Sequence, residues 1–339
     1  MIKLFGIAGA KPYAENVARV LDMPLSKHIE KYFEDGELYV RSDENVRGCD
    51  VYIIASMYSD NNNSASEKLA TILFFVSSLR DASAKRITLV VPYLAFSRQD
   101  RKTESRAPIA TKYVAQLLES VGVNRLLTMD VHNLSALQNA FRIPTDNLES
   151  KNLIIDFLVG QNRYGEETNR DMIPNTNLVV LSPDSGGMSR AKWFARSLEK
   201  RIQAEMPNET VGLAYFDKER ISSSEIKGSQ IIGDIRGKNV IIVDDMISSG
   251  GTIKRSGEAI EKFGGKLWGA CATHGLFTSE SMKNLAGIPR LFIADTIPVK
   301  LKEWGETPRI WSVNTYNLFA IAIRRPYEEG GSISQLLQD

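Results

Sequence analysis

The feature that most constrains the fold is an alternation of short, continuous apolar runs with longer helical stretches. Runs such as Arg86–Tyr93 and Val240–Val243 lack the polar alternation of a half-exposed strand, so we expect strands covered on both faces. Helical patterns such as Ser66–Arg80 and Thr252–Phe263 separate them. The alternation predicts an α/β fold with largely parallel sheets. The predicted strands are Lys3–Ile7, Val51–Ser56, Arg86–Tyr93, Arg125–Met129, Leu178–Ser182, Gly212–Phe216, Val240–Val243, Leu267–Thr273, Leu291–Ala294 and Arg309–Val313.

The length of the chain predicts two domains. It has 339 residues, and domains commonly take about 150 residues each. The expected boundary lies near Asn147–Lys151, giving domains at residues 1–149 and 150–321. We expect the C-terminal segment 322–339 to pack back on the first domain. The polar stretch Gln161–Asn177 is interpreted as a surface insertion in the second domain.

Composition and charge exclude several classes of protein. The chain has 42 Lys and Arg against 41 Asp and Glu, a net charge of +1, which disfavours a nucleic-acid binder. Two cysteines, Cys49 and Cys271, cannot form a disulfide framework and favour a cytoplasmic location. Lys11-Pro12 interrupts the first apolar run, and no run suits a membrane helix, so we expect neither a secretory signal nor a membrane partner.

The most informative segment is Asn239–Ile253, which predicts a phosphate site. An apolar strand leads to two carboxylates, Asp244 and Asp245, followed by a loop of small residues and a helix beginning near Thr252. Glycines allow a close approach to a ligand, and the N–H groups at a helix start attract anions. The carboxylates suit sugar hydroxyls or Mg²⁺. A capped helix after a solvated turn is the alternative for this segment. No Walker A or Gly-x-Gly-x-x-Gly sequence occurs, which disfavours P-loop kinases and Rossmann dehydrogenases.

This segment resembles the ribose-phosphate binding motif of the type I phosphoribosyltransferase fold. Further segments, in family order along the chain, resemble ribose-phosphate diphosphokinase (phosphoribosyl pyrophosphate synthetase). They are Phe33–Glu37, Tyr93–Lys102, Arg106–Lys112, Met129–His132, Ser182–Gly187 and Gly233–Asp234. The resemblance implies two tandem phosphoribosyltransferase-type domains, each a mainly parallel sheet flanked by helices.

The resemblance also implies a reaction and its residues. The diphosphoryl group of ATP would pass to the 1-hydroxyl of ribose 5-phosphate with Mg²⁺ as cofactor, giving 5-phosphoribosyl 1-diphosphate and AMP. The implied ATP-binding residues are Phe33, Asp35, Glu37, Arg98, Gln99, Asp100 and His132. The implied catalytic residues are Lys218 and Arg220 on a flexible loop, continued by a mobile segment at Ser222–Gly228, and the implied metal contacts are His132 and Asp184. For ribose 5-phosphate the implied residues are Asp244 and Asp245 at the hydroxyls and Ser248, Ser249, Gly250, Gly251 and Thr252 at the 5-phosphate.

Each of these segments also has a structural alternative when taken alone. Phe33–Glu37 would be a turn centred on Gly36, the run after Tyr93 a solvated charged loop, and His132 a structural histidine. Asp184 would be a helix cap and residues 217–220 a surface turn. At the level of the whole chain, the alternatives are a catalytically silent regulatory homologue, a phosphoribosyltransferase and, least favoured by the charge, a DNA-binding regulator.

Departures from the family pattern leave regulation open. Many relatives have Asp-Thr where this chain has Ser248-Ser249. Relatives that inorganic phosphate activates have residues resembling Arg47, Ser332 and Ser334. The resemblance further implies a homo-oligomer, a hexamer or a dimer, because the family's nucleotide pocket includes residues of a neighbouring subunit.

Overall fold

The computed structural model describes residues 1–161, 173–174, 176–220, 226–299, 304 and 308–337, with only the backbone at 217–220, 226–229 and 337. Most of the segment interpreted as an insertion, 161–177, lies outside these residues. The described chain forms two compact units. The first comprises Met1–Glu149 and the C-terminal segment from Tyr316 onward, and the second is Ser150–Thr315. The second unit therefore ends at 315 rather than at the expected 321.

The earlier boundary follows from the apolar face of the last α-helix, Tyr316–Arg324. This helix buries Leu318, Phe319 and Ile323. It packs on the first helix of the chain, where the rings of Tyr13 and Phe319 meet edge to face with centroids 6.1 Å apart. Burial of this face stabilises the helix on the first unit.

The first unit is built on a five-stranded parallel sheet. Its elements are β1 (Ile2–Ile7), α1 (Lys11–Leu21), β2 (His28–Tyr32), β3 (Leu38–Ser42), β4 (Asp50–Ala55), α2 (Ala65–Asp81), β5 (Arg86–Val91), α3 (Ala110–Val121), β6 (Arg125–Met129), α4 (Leu134–Ala140), β7 (Thr145–Leu148) and α9 (Tyr316–Arg324). The strand order is β1-β4-β5-β6-β7, and all of these neighbours are parallel. Ile53, Leu89 and Leu126 in the central strands are fully buried. Strands β2 and β3 form a separate antiparallel hairpin.

The second unit is built on a seven-stranded sheet. Its elements are α5 (Lys151–Leu158), β8 (Leu178–Ser182), α6 (Met188–Gln203), β9 (Val211–Arg220), β10 (Ile226–Ile232), β11 (Asn239–Ile247), α7 (Gly251–Lys262), β12 (Lys266–Gly275), α8 (Ser281–Leu285), β13 (Arg290–Ala294) and β14 (Arg309–Val313). The order is β10-β9-β8-β11-β12-β13-β14, and only the β9–β10 pair is antiparallel. The predicted α/β fold class is confirmed.

Every predicted strand is present in the structure, whereas four further strands had no clear signal. The hairpin strands β2 and β3 contain charged residues and are largely exposed, and β7 has the polar sequence Thr-Asp-Asn-Leu. Strand β10 includes residues 226–228, which were expected in a mobile loop. Polar strands of this kind depend on pairing with a neighbour rather than on their own apolar pattern.

Candidate active site

The candidate site of the second unit lies where the strand order of its sheet reverses. From β8 the chain continues to β9 on one side, and it later returns to place β11 on the other side of β8. Right-handed crossovers in opposite directions place α6 and α7 on opposite faces of the sheet. The loops at the carboxyl ends of β8 and β11 therefore diverge and leave a crevice, the usual ligand position in open α/β sheets.

The register of β11 deepens this crevice. Its pairing with β8 ends at Ile242, opposite Leu181, while its pairing with β12 continues to Ile247, opposite Gly275. Asp244 and Asp245 therefore lie within the strand, which continues beyond its predicted end at Val243, and not in the solvated turn that was the alternative. Pairing on one side only holds the backbone of both residues extended beside the end of β8.

Arg190, in the first turn of α6, contacts both aspartates. Its Nη1 lies 3.4 Å from Oδ1 of Asp244 and 3.6 Å from Oδ1 of Asp245. Asp245 is 3% exposed, and its backbone N–H donates to Oδ1 of Asp244 over 2.9 Å. Burial and the carboxylate of Asp245 raise the pKa of Asp244 to about 8, and Arg190 opposes this rise. The crevice thus holds two close carboxylates and one guanidinium.

The predicted phosphate loop follows directly. Ser248-Ser249-Gly250 leads from β11 into α7, which begins at Gly251, one residue before the predicted start. Gly250 has φ of 75°, and a Cβ there would lie 2.6 Å from Cγ of Leu285, so this position requires glycine. The first turn of α7 presents N–H groups that have no partner within the helix.

The carbonyl groups of this loop are held from one side by the segment around α8. Ser281 Oγ donates to the carbonyl of Ser248 over 2.6 Å, and Asn284 Nδ2 donates to the carbonyl of Ser249 over 2.9 Å. The backbone N–H of Thr278 also donates to the Ser248 carbonyl over 3.2 Å. With its carbonyls engaged, the loop is preorganised to offer N–H groups and hydroxyls to an anion.

Asp184 lies on the turn between β8 and α6 and is exposed. Its Oδ1 accepts a hydrogen bond from the backbone N–H of Gly187 over 3.0 Å, a contact within the turn, because Gly187 is itself the N-cap residue of α6 and this helix has no side-chain cap. A Cβ at Gly187 would lie 2.5 Å from Oγ of Ser182 and 3.4 Å from Nη1 of Arg190. Glycine at 187 therefore allows the arginine to pass close to the backbone of this turn.

Lys218 and Arg220 lie in the last three residues of strand β9, where their backbone is paired with Ser229 and Ile226 of β10. The sequence predicted a strand ending at Phe216 and a loop from residue 217, so the strand is longer than expected. Antiparallel pairing with β10 accounts for the extension. Residues 221–225 of the predicted mobile segment lie outside the described residues.

In the first unit, two of the predicted ATP-binding segments lie next to each other. Arg98, Gln99 and Asp100 follow β5, His132 follows the neighbouring β6, and Asn133 Nδ2 donates to Oδ2 of Asp100 over 2.6 Å. The side chains of Arg98, Gln99 and His132 are exposed. Adjacent parallel strands bring their following loops together at the same edge of the sheet.

The third predicted ATP-binding segment is the tip of the β2–β3 hairpin. Phe33 is 49% exposed and meets Tyr39 edge to face, with centroids 5.8 Å apart. Asp35 Oδ1 accepts from the backbone N–H of Glu37 over 3.1 Å. The structure thus has the turn around Gly36, with φ of 89°, that the sequence offered as the alternative. The Nζ atom of Lys31 lies over the ring of Phe33, 5.7 Å from its centroid, and about half of the Phe33 surface is exposed to solvent.

Comparison with known proteins identifies the family. Residues 2–122 match the N-terminal domain of ribose phosphate pyrophosphokinase, and residues 154–284 match the phosphoribosyl transferase domain. A ribose-phosphate pyrophosphokinase of Hyphomonas neptunium is 38% identical over 298 residues, covering 87% of each chain. The chain belongs to the ribose-phosphate pyrophosphokinase family.

Other matches to this ribose-phosphate pyrophosphokinase family cover nearly the whole chain. The ribose-phosphate pyrophosphokinase of Campylobacter jejuni is 34% identical and is matched over 96% of both chains. A crystal structure of phosphoribosylpyrophosphate synthetase from Mycobacterium smegmatis superposes with a TM-score of 0.79 at 29% identity, over 96% of this chain and 98% of the other. The family predicted from the sequence motifs is confirmed.

Arg190 is the residue of this site that sequence reasoning missed. It stands three residues after Gly187 in the first turn of a charged helix, where a solvated arginine is the ordinary expectation. Among the described residues no cluster of three or more His, Cys, Asp or Glu side chains could hold a metal ion. Nor is any helix in the described part of the chain long and apolar enough to cross a bilayer.

Proposed function

We propose that this chain carries out the reaction of its family through the crevice of the second unit. The diphosphoryl group of ATP passes to the 1-hydroxyl of ribose 5-phosphate, giving 5-phosphoribosyl 1-diphosphate and AMP. The observation that carries this proposal is the placement of Asp244 and Asp245 at the strand-order reversal, in the C-terminal half of β11, which leads into the Ser248–Thr252 loop.

The two ends of this site suit the two ends of ribose 5-phosphate. The Ser248–Thr252 loop and the start of α7 suit the 5-phosphate, because the N–H groups and the helix dipole favour an anion. Asp244 and Asp245 are acceptors for the sugar hydroxyls. Arg190 keeps the two carboxylates together in the geometry that the hydroxyls require.

We propose Mg²⁺ as the cofactor, with Asp184 as its contact in the second unit. The exposed carboxylate of Asp184 is the hard oxygen ligand that Mg²⁺ prefers, and one or two carboxylates plus substrate phosphates commonly complete its coordination. The described residues contain no larger cluster of metal ligands, which suits a cation that arrives with a nucleotide. When bound, Mg²⁺ neutralises charge on the polyphosphate.

For ATP we propose the residues at the carboxyl edge of the first sheet and the hairpin tip. Arg98 and Gln99 donate hydrogen bonds to phosphate oxygens, Asp100 orients that loop through Asn133, and His132 contacts the phosphates or their metal ion. The half-exposed ring of Phe33 stacks on adenine, and Asp35 and Glu37 accept from its exocyclic amine.

Lys218 and Arg220 are proposed as the catalytic cations. Phosphoryl transfer depends mainly on positioning and on stabilising charge that develops in the transition state. Both residues are on β9, next to β8 in the sheet. Their positive charges are suited to stabilising the charge that develops on the entering and departing oxygens during transfer. We further propose a cytoplasmic homo-oligomer, a hexamer or a dimer.

The test is a reconstitution with the purified full chain. The protein is incubated with ATP, Mg²⁺ and ribose 5-phosphate over a range of inorganic phosphate concentrations, and AMP and 5-phosphoribosyl 1-diphosphate are quantified. We expect both products in equal amounts. Absence of product at every phosphate concentration contradicts the proposal and favours a silent regulatory homologue. Consumption of 5-phosphoribosyl 1-diphosphate with an added base favours a phosphoribosyltransferase.

A further inference from the structure

The phosphate loop of this chain has a charge deficit. Residues Ser248–Thr252 carry no charged side chain. A phosphate monoester carries a charge of about −1.5 to −2 at neutral pH, whereas a helix start supplies only about half a positive charge. The acidic pair Asp244 and Asp245 precedes the loop, and the nearby Arg190 is engaged by that pair.

Arg255 lies where it can correct this deficit. It is one helical turn after Gly251, the first residue of α7, and its side chain is exposed. Its Nη2 lies 3.4 Å from Oγ1 of Thr252. A Cβ built on Gly251 would lie 3.5 Å from its Nη1. The guanidinium therefore folds back over the start of the helix and reaches the phosphate loop.

The contact with Thr252 also orients a hydroxyl. Because the guanidinium only donates, Oγ1 of Thr252 accepts the hydrogen bond from Arg255 and keeps its own hydrogen for another acceptor. A distance of 3.4 Å is long for a hydrogen bond to a charged group, so the guanidinium is held loosely and its remaining donors can turn to a ligand.

We propose that Arg255 binds the 5-phosphate of ribose 5-phosphate and gives the site its preference for the phosphorylated sugar. The proposal rests on the proposed function of the same loop. The guanidinium forms a fork that closes the loop on the side of α7, while the backbone and hydroxyl groups of Ser248–Thr252 hold the other phosphate oxygens.

Lys254 provides a matched control in the same helical turn. It is also exposed and also positively charged, but it is rotated from Arg255 by about 100° around the helix. Lys254→Ala removes the same charge at nearly the same distance from the start of α7. A general effect of charge on anion binding would appear in both variants, whereas a direct contact of Arg255 would appear in one.

The experiment measures ribose 5-phosphate binding to the full chain by isothermal titration, together with KM and kcat. For Arg255→Ala we expect the dissociation constant and the KM for ribose 5-phosphate to rise about tenfold, because this is the effect of losing one hydrogen bond to a charged group. We expect kcat to stay within about twofold, because the contact is present in ground state and transition state alike. Arg255→Lys restores part of the affinity, and Lys254→Ala changes it less than about twofold.

The outcomes separate this proposal from the proposed function. If the wild-type chain forms product and Arg255→Ala binds ribose 5-phosphate as tightly as wild type, the role of Arg255 is overturned while the proposed function stands. Equal weakening by Lys254→Ala and Arg255→Ala also overturns the direct contact. A wild-type chain that neither binds ribose 5-phosphate nor forms product overturns both. Thermal unfolding of each variant checks that these exposed substitutions leave the fold intact.

Discussion

The two sheets of this chain place their candidate residues in different surroundings. In the first unit the strand order β1-β4-β5-β6-β7 follows the chain in one direction, so no reversal opens a crevice within that sheet. Its candidate residues Arg98, Gln99 and His132 are exposed on loops. In the second unit the order reverses at β8 and β11, and Asp245 is 3% exposed in the resulting crevice.

This difference shows how strand order controls the electrostatics of a site. In the crevice, burial and a like charge raise the pKa of Asp244 to about 8. On the exposed loops of the first unit, solvent screens charges, so ligand binding depends on direct contacts made one at a time. We therefore expect substitutions in the second unit to have the larger effects.

The largest effect is expected at the β9–β10 hairpin beside the crevice. Lys218→Ala lowers kcat by at least about 10²-fold with little change in ATP affinity, because the cation acts on the transition state. Steady-state kinetics and nucleotide titration measure the two quantities. Lys238→Ala is the control, since that lysine pairs with the exposed Asp234. An unchanged kcat in Lys218→Ala would remove the catalytic role of the hairpin.

The second largest effect is expected at the aspartate pair. Asp244→Asn replaces an oxygen that can accept from the sugar hydroxyls with an amide donor, and we expect kcat/KM for ribose 5-phosphate to fall about 30-fold. Its KM for ATP stays within about threefold, because the nucleotide contacts proposed here belong to the first unit. Parallel losses for both substrates would contradict the division of labour between the two units.

The same substitution tests the raised pKa of Asp244 through the pH dependence of stability. Because its pKa rises from the usual 3.8 to about 8 on folding, the folded chain binds a proton more tightly than the unfolded chain between these values. The stabilisation that this group contributes to the folded wild-type chain is complete below pH 3.8 and is lost as the pH rises through about 8. The free energy of unfolding of Asp244→Asn relative to wild type should therefore increase between about pH 4 and 8, without Mg²⁺ or substrate.

Asp234→Asn is the control of opposite sign. A hydrogen bond from Lys238 lowers the pKa of Asp234, so the ionised form stabilises the folded chain. That stability is present above the usual pKa and is lost on acidification, and the Asn variant should be slightly less stable than wild type at neutral pH. Chemical denaturation at several pH values measures both variants. A difference between Asp244→Asn and wild type that stays constant from pH 4 to 8 would show that the crevice does not perturb this carboxyl.

A moderate effect is expected at the carboxyl edge of the first sheet. Arg98→Ala removes a guanidinium from the exposed loop after β5, and we expect KM for ATP to rise about tenfold while KM for ribose 5-phosphate changes little. Lys85→Ala is the matched control. Lys85 is exposed and precedes Arg86, the first residue of β5, so it lies at the other end of the strand from Arg98. Equal effects of the two variants would indicate long-range charge rather than a contact.

The smallest effect is expected at the tip of the β2–β3 hairpin. Phe33→Ala removes a stacking surface, and we expect KM for ATP to rise about fivefold, within the range for stacking of one base on an aromatic ring. Phe74→Ala is the control, since Phe74 on α2 is 57% exposed against 49% for Phe33. If Phe33→Ala leaves KM unchanged both for ATP and for an ATP analogue with a different base, Phe33 is excluded from the adenine pocket.

Much of the fold was predictable because local pattern and tertiary structure agree. Continuous apolar runs are buried in parallel strands such as β5 and β11, and the small residues after Asp245 do open a helix. The prediction was less accurate at strand ends. Strand β11 continues through the aspartates to Ile247 because β12 pairs with it that far, and no local pattern reports the length of a neighbouring strand.

The sequence by itself determined the α/β class, the position of the small-residue loop before α7 and, through motifs spread along the chain, the family. These depend on residues close together in the chain, where apolar periodicity and glycine position have direct local consequences. Only the tertiary structure decided which strands are neighbours, and therefore that Arg190 of α6 meets Asp244 and Asp245 of β11. Strand order is set by hydrogen bonding and packing between distant segments, so the buried charges and the raised pKa of Asp244 exist only in the folded chain.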